Sequence, residues 1–201
     1  AAVATGAQAI HPGYGLLSEN AKFAKLCESC RIVFIGPSAE IINKMGDKDE
    51  ARRTMKAAGV PVVPGCDVIE DVKEAHKKAD EIGYPLLCKA RAGGGGRGIR
   101  LGNHTDEFEN AYLEKFLSPV KHIEMQIICD DHGNVVCLGE RDCSVQRKNQ
   151  KLIEESPSPV VTEDIRAKMV EVSTKAAKAV GYRGVGTIEF LFDRDNHYYF
   201  M

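Results

Sequence analysis

The sequence predicts an α/β or α+β protein, because strand-like and helix-like segments alternate along its 201 residues. Helical apolar stripes (Phe23, Leu26, Cys27 and Cys30; Val72, Ala75, Ala79 and Ile82) each give way to a short apolar run. His122 to Ile127 alternates polar and apolar residues, which is the period of a strand. A second helical period over Glu163 to Val180 precedes the strand-like run Thr187 to Phe192.

Taken in order, Ala21 to Cys30 reads as a helix and Val33 to Ile35 as a buried strand ending at Gly36-Pro37. Ser38 can cap a helix running toward Met45, and another from about Asp49 stops at Gly59, just before Pro61. Val60 to Pro64 is then extended. The Val72 stripe ends at Gly83, and a strand carrying Lys89 follows, so a small α/β unit spans about Pro61 to Leu101. Alternation over His122 to Ile127 puts His122, Glu124 and Gln126 on one face. Asp130 to Asn134 is a turn into a strand over Val135 to Leu138. The final strand-like run turns at Asp193 to Asn196, and the chain ends inside the next strand. No internal repeat or low-complexity linker is visible.

Composition narrows the function classes. Lys and Arg total 27 against 29 Asp and Glu, and this net charge of −2 supplies no general field for nucleic acid. No apolar run approaches a membrane span, and Ala1 to Ala9 lacks the regions of a signal peptide, so a cytoplasmic protein is expected. Seven cysteines is an odd number, and Cys88, Cys129 and Cys137 sit in strand-like apolar runs, so reduced thiols are expected. Cys27 and Cys30 have C-x-x-C spacing within a helical pattern, without a second pair to complete a zinc site.

The segment with the most chemistry is Lys89-Ala90-Arg91-Ala92 followed by Gly93-Gly94-Gly95-Gly96-Arg97-Gly98. It satisfies G-x-G-x-x-G as a string, but Ile99-Arg100-Leu101 after it is extended, whereas a dinucleotide fingerprint must open a helix. No Lys-Ser or Lys-Thr follows, which removes the Walker loop as well. What remains is a glycine hairpin between two strands, whose N–H groups can turn toward phosphate oxygens beside the Lys89 charge. Glu189 lies among Ile188, Phe190, Leu191 and Phe192. It is either a buried acid that needs a cation such as Mg²⁺ or a solvent-facing residue on a half-exposed strand. The polar block from Glu140 to Lys151 suits either a solvated loop or an anion pocket, and its Cys143-Ser144 pair has no neighbouring base of a nucleophile system.

Several blocks resemble biotin carboxylase: His11-Pro12-Gly13-Tyr14-Gly15-Leu16-Leu17-Ser18-Glu19-Asn20, Phe34-Ile35-Gly36-Pro37-Ser38, Met45-Gly46-Asp47-Lys48, the Lys89 glycine loop, Glu140 to Lys151, and Gly186-Thr187-Ile188-Glu189-Phe190-Leu191. The resemblance runs in order through essentially the whole chain. It implies the ATP-grasp fold: the C-terminal part of a Rossmann-like pre-ATP-grasp domain over 1–60, the ATP-grasp lid over 61–116, and the first part of the C-terminal ATP-grasp domain over 117–201.

The resemblance also implies residue roles. Lys48 and Lys89 would contact ATP phosphates, and Gly95 and Gly96 would sit in a closing flap. Glu114, Lys115, Phe116 and Leu117 match the segment that bonds adenine, and His122 and Gln146 match nucleotide contacts. Asn149 stands where the family often has His, so that contact would be altered. Lys151 matches a bicarbonate-binding lysine, and Glu189 a ligand of Mg²⁺ (or Mn²⁺). The implied reaction is ATP-dependent carboxylation of biotin by bicarbonate through carboxyphosphate. With no Met-Lys-Met signature, biotin is expected on a separate carrier protein or domain, with a carboxyltransferase as further partner and a homodimer in the full-length form. Acetyl-CoA, propionyl-CoA and pyruvate carboxylases share this component, so the final acceptor stays open. Another ATP-grasp ligase and a non-catalytic nucleotide-binding module are the alternatives.

Two departures from the family follow. A helical stretch expected between Glu109 and Leu113 is shortened. The block holding the second metal-binding acid, the catalytic arginine and the bicarbonate base would lie beyond Met201. These residues alone are therefore expected to bind nucleotide at most.

Overall fold

The computed structural model describes residues 1–13, 15–66, 72–90, 99–102, 111–148 and 150–201. Its N-terminal part carries β1 (Ala9–Ile10) and β2 (Val33–Phe34), paired in parallel, with α1 (Ala21–Ser29) between them. Asn20 caps α1 by accepting from the Phe23 N–H at 2.9 Å. The helix buries a narrower face than its apolar stripe suggested: Ala24 and Cys27 are buried, while Leu26 and Cys30 are exposed. A two-stranded sheet is too narrow to cover the whole stripe, and the main contact is edge-to-face between Phe23 and Phe34, 6.0 Å apart.

Next come α2 (Ala39–Gly46) and α3 (Lys48–Ala57). Ser38 caps α2, and Asp47 caps α3 by accepting from the Asp49 and Glu50 N–H groups at 3.0 and 3.1 Å. Asp49 and Glu50 in the first turn add favourable charge at the dipole's positive end.

A three-stranded antiparallel sheet in the order β4-β3-β5 follows, built from β3 (Leu86–Ala90), β4 (Ile99–Gly102) and β5 (Ala111–Lys115). The glycine segment therefore does join two paired strands, as its flanks predict. α4 (Val72–Ile82) packs Ala75 and Ala79 against Leu86, Cys88 and Leu113; the side chain of Val72 lies outside the described residues.

The larger sheet is fully antiparallel, in the order β10-β9-β6-β7-β8. It comprises β6 (Lys121–Cys129), β7 (Val135–Arg147), β8 (Gln150–Glu155), β9 (Gly184–Phe192) and β10 (Tyr198–Phe200). α5 (Glu163–Val180) covers one face. Thr162 caps it, and Gly181 ends it at φ 65°, in the left-handed region that glycine enters without strain. Ile165, Met169, Val172 and Ala176 of α5 meet Ile123, Met125, Ile127, Ile188, Phe190 and Phe192 in the main core. Odd positions of β6 fill that core, which leaves His122, Glu124 and Gln126 on the other face, as the alternation predicts.

Of the two readings open for the polar block after Leu138, the structure excludes the solvated loop, because β7 runs on to Arg147 and pairs with both β6 and β8. Its polar residues are tolerated on the core face because Glu140 is completed by α5: Arg166 donates to both of its oxygens, at 2.7 and 2.8 Å, and the Ser158 N–H adds a third bond at 3.2 Å. The Arg166 guanidinium holds the Glu140 carboxyl below the usual carboxylate range, against burial.

Residues 60–66 strap the two sheets together. Phe200 N–H donates to Pro61 O at 2.7 Å, Lys115 N–H to Pro64 O at 2.7 Å, and Cys66 N–H to Leu113 O at 2.9 Å. Gly65 allows this approach, since a Cβ there would stand 2.5 Å from Leu113 O.

Two outcomes follow for stability. Gly65→Ala forces backbone to move and lowers the urea unfolding free energy by about 1–3 kcal/mol. Arg166→Ala leaves a buried carboxylate uncompensated and costs about 3–5 kcal/mol, whereas the double change Glu140→Leu with Arg166→Leu costs much less, since no charge stays buried. Equal losses in the single and double variants would contradict this account of Glu140.

Candidate functional site

The open face of the large sheet carries the site. Register places Glu124 of β6 opposite Arg141 of β7 on one side and opposite Glu189 of β9 on the other. Directly opposed like charges destabilise a sheet, so the Glu124–Glu189 pair needs a cation. Lys151 from β8 supplies it: its Nζ donates to Glu124 Oε2 and, at 2.7 Å, to Glu189 Oε1. Arg141 completes Glu124 from the other side, with Nε 2.7 Å and Nη2 2.5 Å from Oε1. Glu124 is 3% exposed, against 29% for Lys151 and 34% for Glu189, so the shared ammonium faces the opening.

Bulged backbone brings Lys151 there. β7 shifts register against β8 between Asp142 and Gln146, and such irregularities bend a strand and raise its twist. The hairpin then turns at Lys148, φ 52°, and Lys151 pairs with Gln146. Ser144 fills the gap in the ladder: its Oγ accepts the His122 N–H at 3.0 Å, while its own N–H and hydroxyl donate to Asp142 Oδ1. Gln146 Nε2 donates to Cys143 O at 2.8 Å and faces His122 Nδ1 at 2.7 Å. An amide donor on Nδ1 leaves Nε2 as the proton-bearing nitrogen, and Nε2 stands 3.6 Å from Glu189 Oε1.

The electrostatics follow from these contacts. Nearby His122, and then Lys151, hold the Glu189 carboxyl down at about 2, against burial that pushes it up. Burial pushes Glu124 up, but Lys151 and Arg141 together keep it below the ordinary range. Two carboxylates overcome the burial of Lys151 and raise its ammonium above the usual lysine value. Burial pushes the Cys143 thiol up to about 12, which removes it as a nucleophile.

His122, Glu124 and Glu189 each offer a ligand atom, all within 4.8 Å of one another. A hard divalent cation such as Mg²⁺ takes oxygen ligands, and since both Glu124 oxygens are taken by Arg141 and Lys151, Glu189 is the member of this group that could hold one. Glu189 is the more open of the two acids, and both of its contacts fall on Oε1. In a second group, Glu124, Cys143 and Glu154, Arg141 already bridges the two carboxylates.

The structure thus brings together His122, Gln146, Lys151 and Glu189. Lys48 opens α3 and is exposed, and no contact of the cluster involves it. Lys89 lies on β3 in register with Ile99 and Tyr112, its side chain outside the described residues. Gly95, Gly96, Asn149, Tyr14 and residues 103–110 also lie outside them. Glu114 and Lys115 end β5, followed by half-buried Phe116 and Leu117. Lys115 Nζ donates to the Gly83 and Tyr84 carbonyls, 2.8 Å each, tying β5 to the turn after α4. Glu124 and Arg141 had no site role in the sequence reading. The clue was Glu124 midway between His122 and Gln126 on one face. A cavity of about 430 Å³ lies on the other side of β9, lined by Ile41, Met45, Ala177, Ile188 and Phe200; Glu189 borders it, whereas His122, Gln146 and Lys151 do not.

A direct check is pH. The Glu189 carboxyl is depressed in the folded state, so its stabilising contribution is complete above the ordinary value of 4.5 and disappears as pH falls to about 2. Carbon NMR should show Glu189 titrating near the lower value, and Glu189→Gln should flatten the pH dependence of the urea midpoint in that window. An unshifted titration would mean that the Lys151–Glu189–His122 cluster does not form.

The chain is similar to known proteins over nearly all of its length. The family described as carbamoyl-phosphate synthase L chain, ATP binding domain, matches residues 47–201, and that described as biotin carboxylase, N-terminal domain, matches 1–42. Biotin carboxylase 1 of Bacillus subtilis is 52% identical over 98% of this chain and 48% of its own length. Biotin carboxylase of a Nostoc species is 51% identical over 100% of this chain and 49% of its own; that alignment has 219 positions against 201 residues here, so at least 18 face no residue of this chain. Among solved structures, a Campylobacter jejuni biotin carboxylase complex named for β,γ-ATP superposes with a TM-score of 0.90 at 46% identity, covering 99% of this chain and 49% of that one. The biotin carboxylase domain dimer of Hydrogenobacter thermophilus 2-oxoglutarate carboxylase, with MgADP, ADP and bicarbonate, gives 0.88 at 48% identity, covering 99% and 48%. The chain spans about half the length of these relatives, and at such identity over nearly all of its own length it belongs to the biotin carboxylase family, with the ATP-grasp fold.

Proposed function

We propose that this chain forms the nucleotide, metal and bicarbonate portion of an enzyme that carboxylates biotin at the expense of ATP. The observation that carries the reading is the Lys151 ammonium held between Glu124 and Glu189 on an open sheet face. An ammonium so placed can accept a small anion on its free side while a metal joins Glu189. Residues 1–60 would be the remainder of a pre-ATP-grasp domain, 61–116 the lid, and 117–201 the start of the C-terminal ATP-grasp domain.

In this reading a bicarbonate oxygen attacks the γ-phosphorus of ATP. The new O–P bond forms as the β–γ bridging bond breaks, giving ADP and carboxyphosphate. Carboxyphosphate then breaks its C–O bond to the phosphorus-bound oxygen, releasing CO₂ and phosphate, and CO₂ forms the new N–C bond to the ureido nitrogen of biotin while that nitrogen's proton passes to the released phosphate. Lys151 holds bicarbonate by charge and hydrogen bond, placing it for in-line attack. Lys48, Lys89 and the N–H groups of Gly95 and Gly96 take phosphate oxygens, and the glycine segment excludes water. His122, Gln146, Asn149 and Glu114 to Leu117 orient the nucleoside. Glu189 holds Mg²⁺ or Mn²⁺, which when bound neutralises charge on the phosphoryl group in flight.

Biotin would arrive on a carrier protein or domain, and a carboxyltransferase would use the product. Dimerisation is supported by the Hydrogenobacter relative, described as a dimer. No helix among the described residues is long and apolar enough to cross a membrane. A cytoplasmic setting suits the bacterial relatives, although the Arabidopsis relative is named chloroplastic.

The intact protein should cleave ATP in a bicarbonate-dependent manner, faster with free biotin. Lys151→Met should lower that rate by about 10²–10³ while leaving the thermal shift caused by MgATP in place. Cleavage indifferent to biotin but stimulated by ammonia would favour the carbamoyl-phosphate branch of the ATP-grasp enzymes. Cleavage indifferent to bicarbonate would reject both.

A further inference from the structure

Arg141 touches neither Lys151 nor Glu189, yet it decides what Glu124 can offer them. A carboxylate has two oxygens in one plane, and in Glu124 they are divided: Oε1 takes the Arg141 Nε and Nη2 hydrogens, and Oε2 takes Lys151. The third arm of the guanidinium donates from Nη1 to Gln126 Oε1 at 3.0 Å. Gln126 cannot turn away freely, because its Nε2 donates to Gly186 O on β9 at 2.8 Å. The fork is thus anchored through Gln126 to the strand that carries Glu189. At the rim, Glu154 approaches Arg141 Nε at 3.3 Å from an exposed position.

From this division we infer that Arg141 is a positioning residue for the bicarbonate step: by occupying Oε1 it fixes the plane of the Glu124 carboxylate, so that Oε2 alone receives Lys151 and Nζ stays within reach of Glu189. The inference rests on the function proposed above and adds a residue to it. Without the guanidinium, a 3%-exposed carboxylate keeps one cation for two oxygens. It would then draw Lys151 into a two-oxygen contact, away from the anion's place. Two coplanar donors closing on one oxygen while a third arm is held by Gln126 is an arrangement a lysine ammonium cannot imitate, so the requirement is for Arg and not for charge alone.

The test uses steady-state kinetics of the intact protein. Arg141→Ala should raise KM for bicarbonate by about tenfold or more while KM for ATP stays within about twofold. Millimolar guanidinium ion should restore part of the loss, which a merely weakened fold would not show. Arg141→Lys, which keeps the charge and protects against misfolding, should show the same selective rise at about threefold or more, as should Gln126→Met, which frees the fork's second anchor. Glu154→Ala should change neither constant. An unchanged bicarbonate KM in Arg141→Lys and Gln126→Met, or an equal rise in both constants without guanidinium rescue, overturns the assignment alone. A wild-type protein without bicarbonate-dependent ATP cleavage would instead sink the parent reading and this assignment with it.

Discussion

The site depends on an electrostatic constraint set by strand register: Glu124 and Glu189 face each other across β6 and β9. Two ionised acids in that relation repel, and one of them is almost wholly buried. The fold answers with a lysine shared between them and an arginine on the inner acid. This compensation is uneven, since Glu124 has two cations and Glu189 has only its share of one plus a neighbouring imidazole. Glu189 is therefore the acid with capacity left for a further cation, which matches its greater exposure.

The same constraint explains why β7 is irregular. A regular β7–β8 hairpin would keep Lys151 two strands away from Glu124 at the usual spacing between strands. The register shifts near Asp142 to Gln146 bend the hairpin, and Ser144 with Asp142 satisfies the His122 N–H that the broken ladder leaves without a backbone partner. Gln146, held by the Cys143 carbonyl, then orients His122 toward Glu189. Irregular backbone in β7 and precise placement in the site are one feature.

The opposite face of the same strand obeys a different rule. Glu140 and Asp142 point to the helix-covered side, and Glu140 is tolerated because Arg166 binds it with two parallel hydrogen bonds. β7 thus carries charge on both faces, each charge neutralised by a partner distant in sequence. This is why its composition looks like that of a loop.

What the sequence determined by itself was local. The Ser38 cap, the helical spans beginning near Ala21, Val72 and Glu163, the two strands flanking the glycine segment and the single face shared by His122, Glu124 and Gln126 all follow from capping chemistry and from the periods 3.6 and 2. The family motifs pointed to His122, Gln146, Lys151 and Glu189, which the fold brings together. What only the tertiary structure decided was pairing at long range. The course of β7 through a polar block, the opposition of Glu124 and Glu189, the division of Glu124 between Lys151 and Arg141, and the Gly65 approach to Leu113 each depend on strand register and bulges. Those are fixed by contacts between segments tens of residues apart, and a local pattern of residue types carries no record of them.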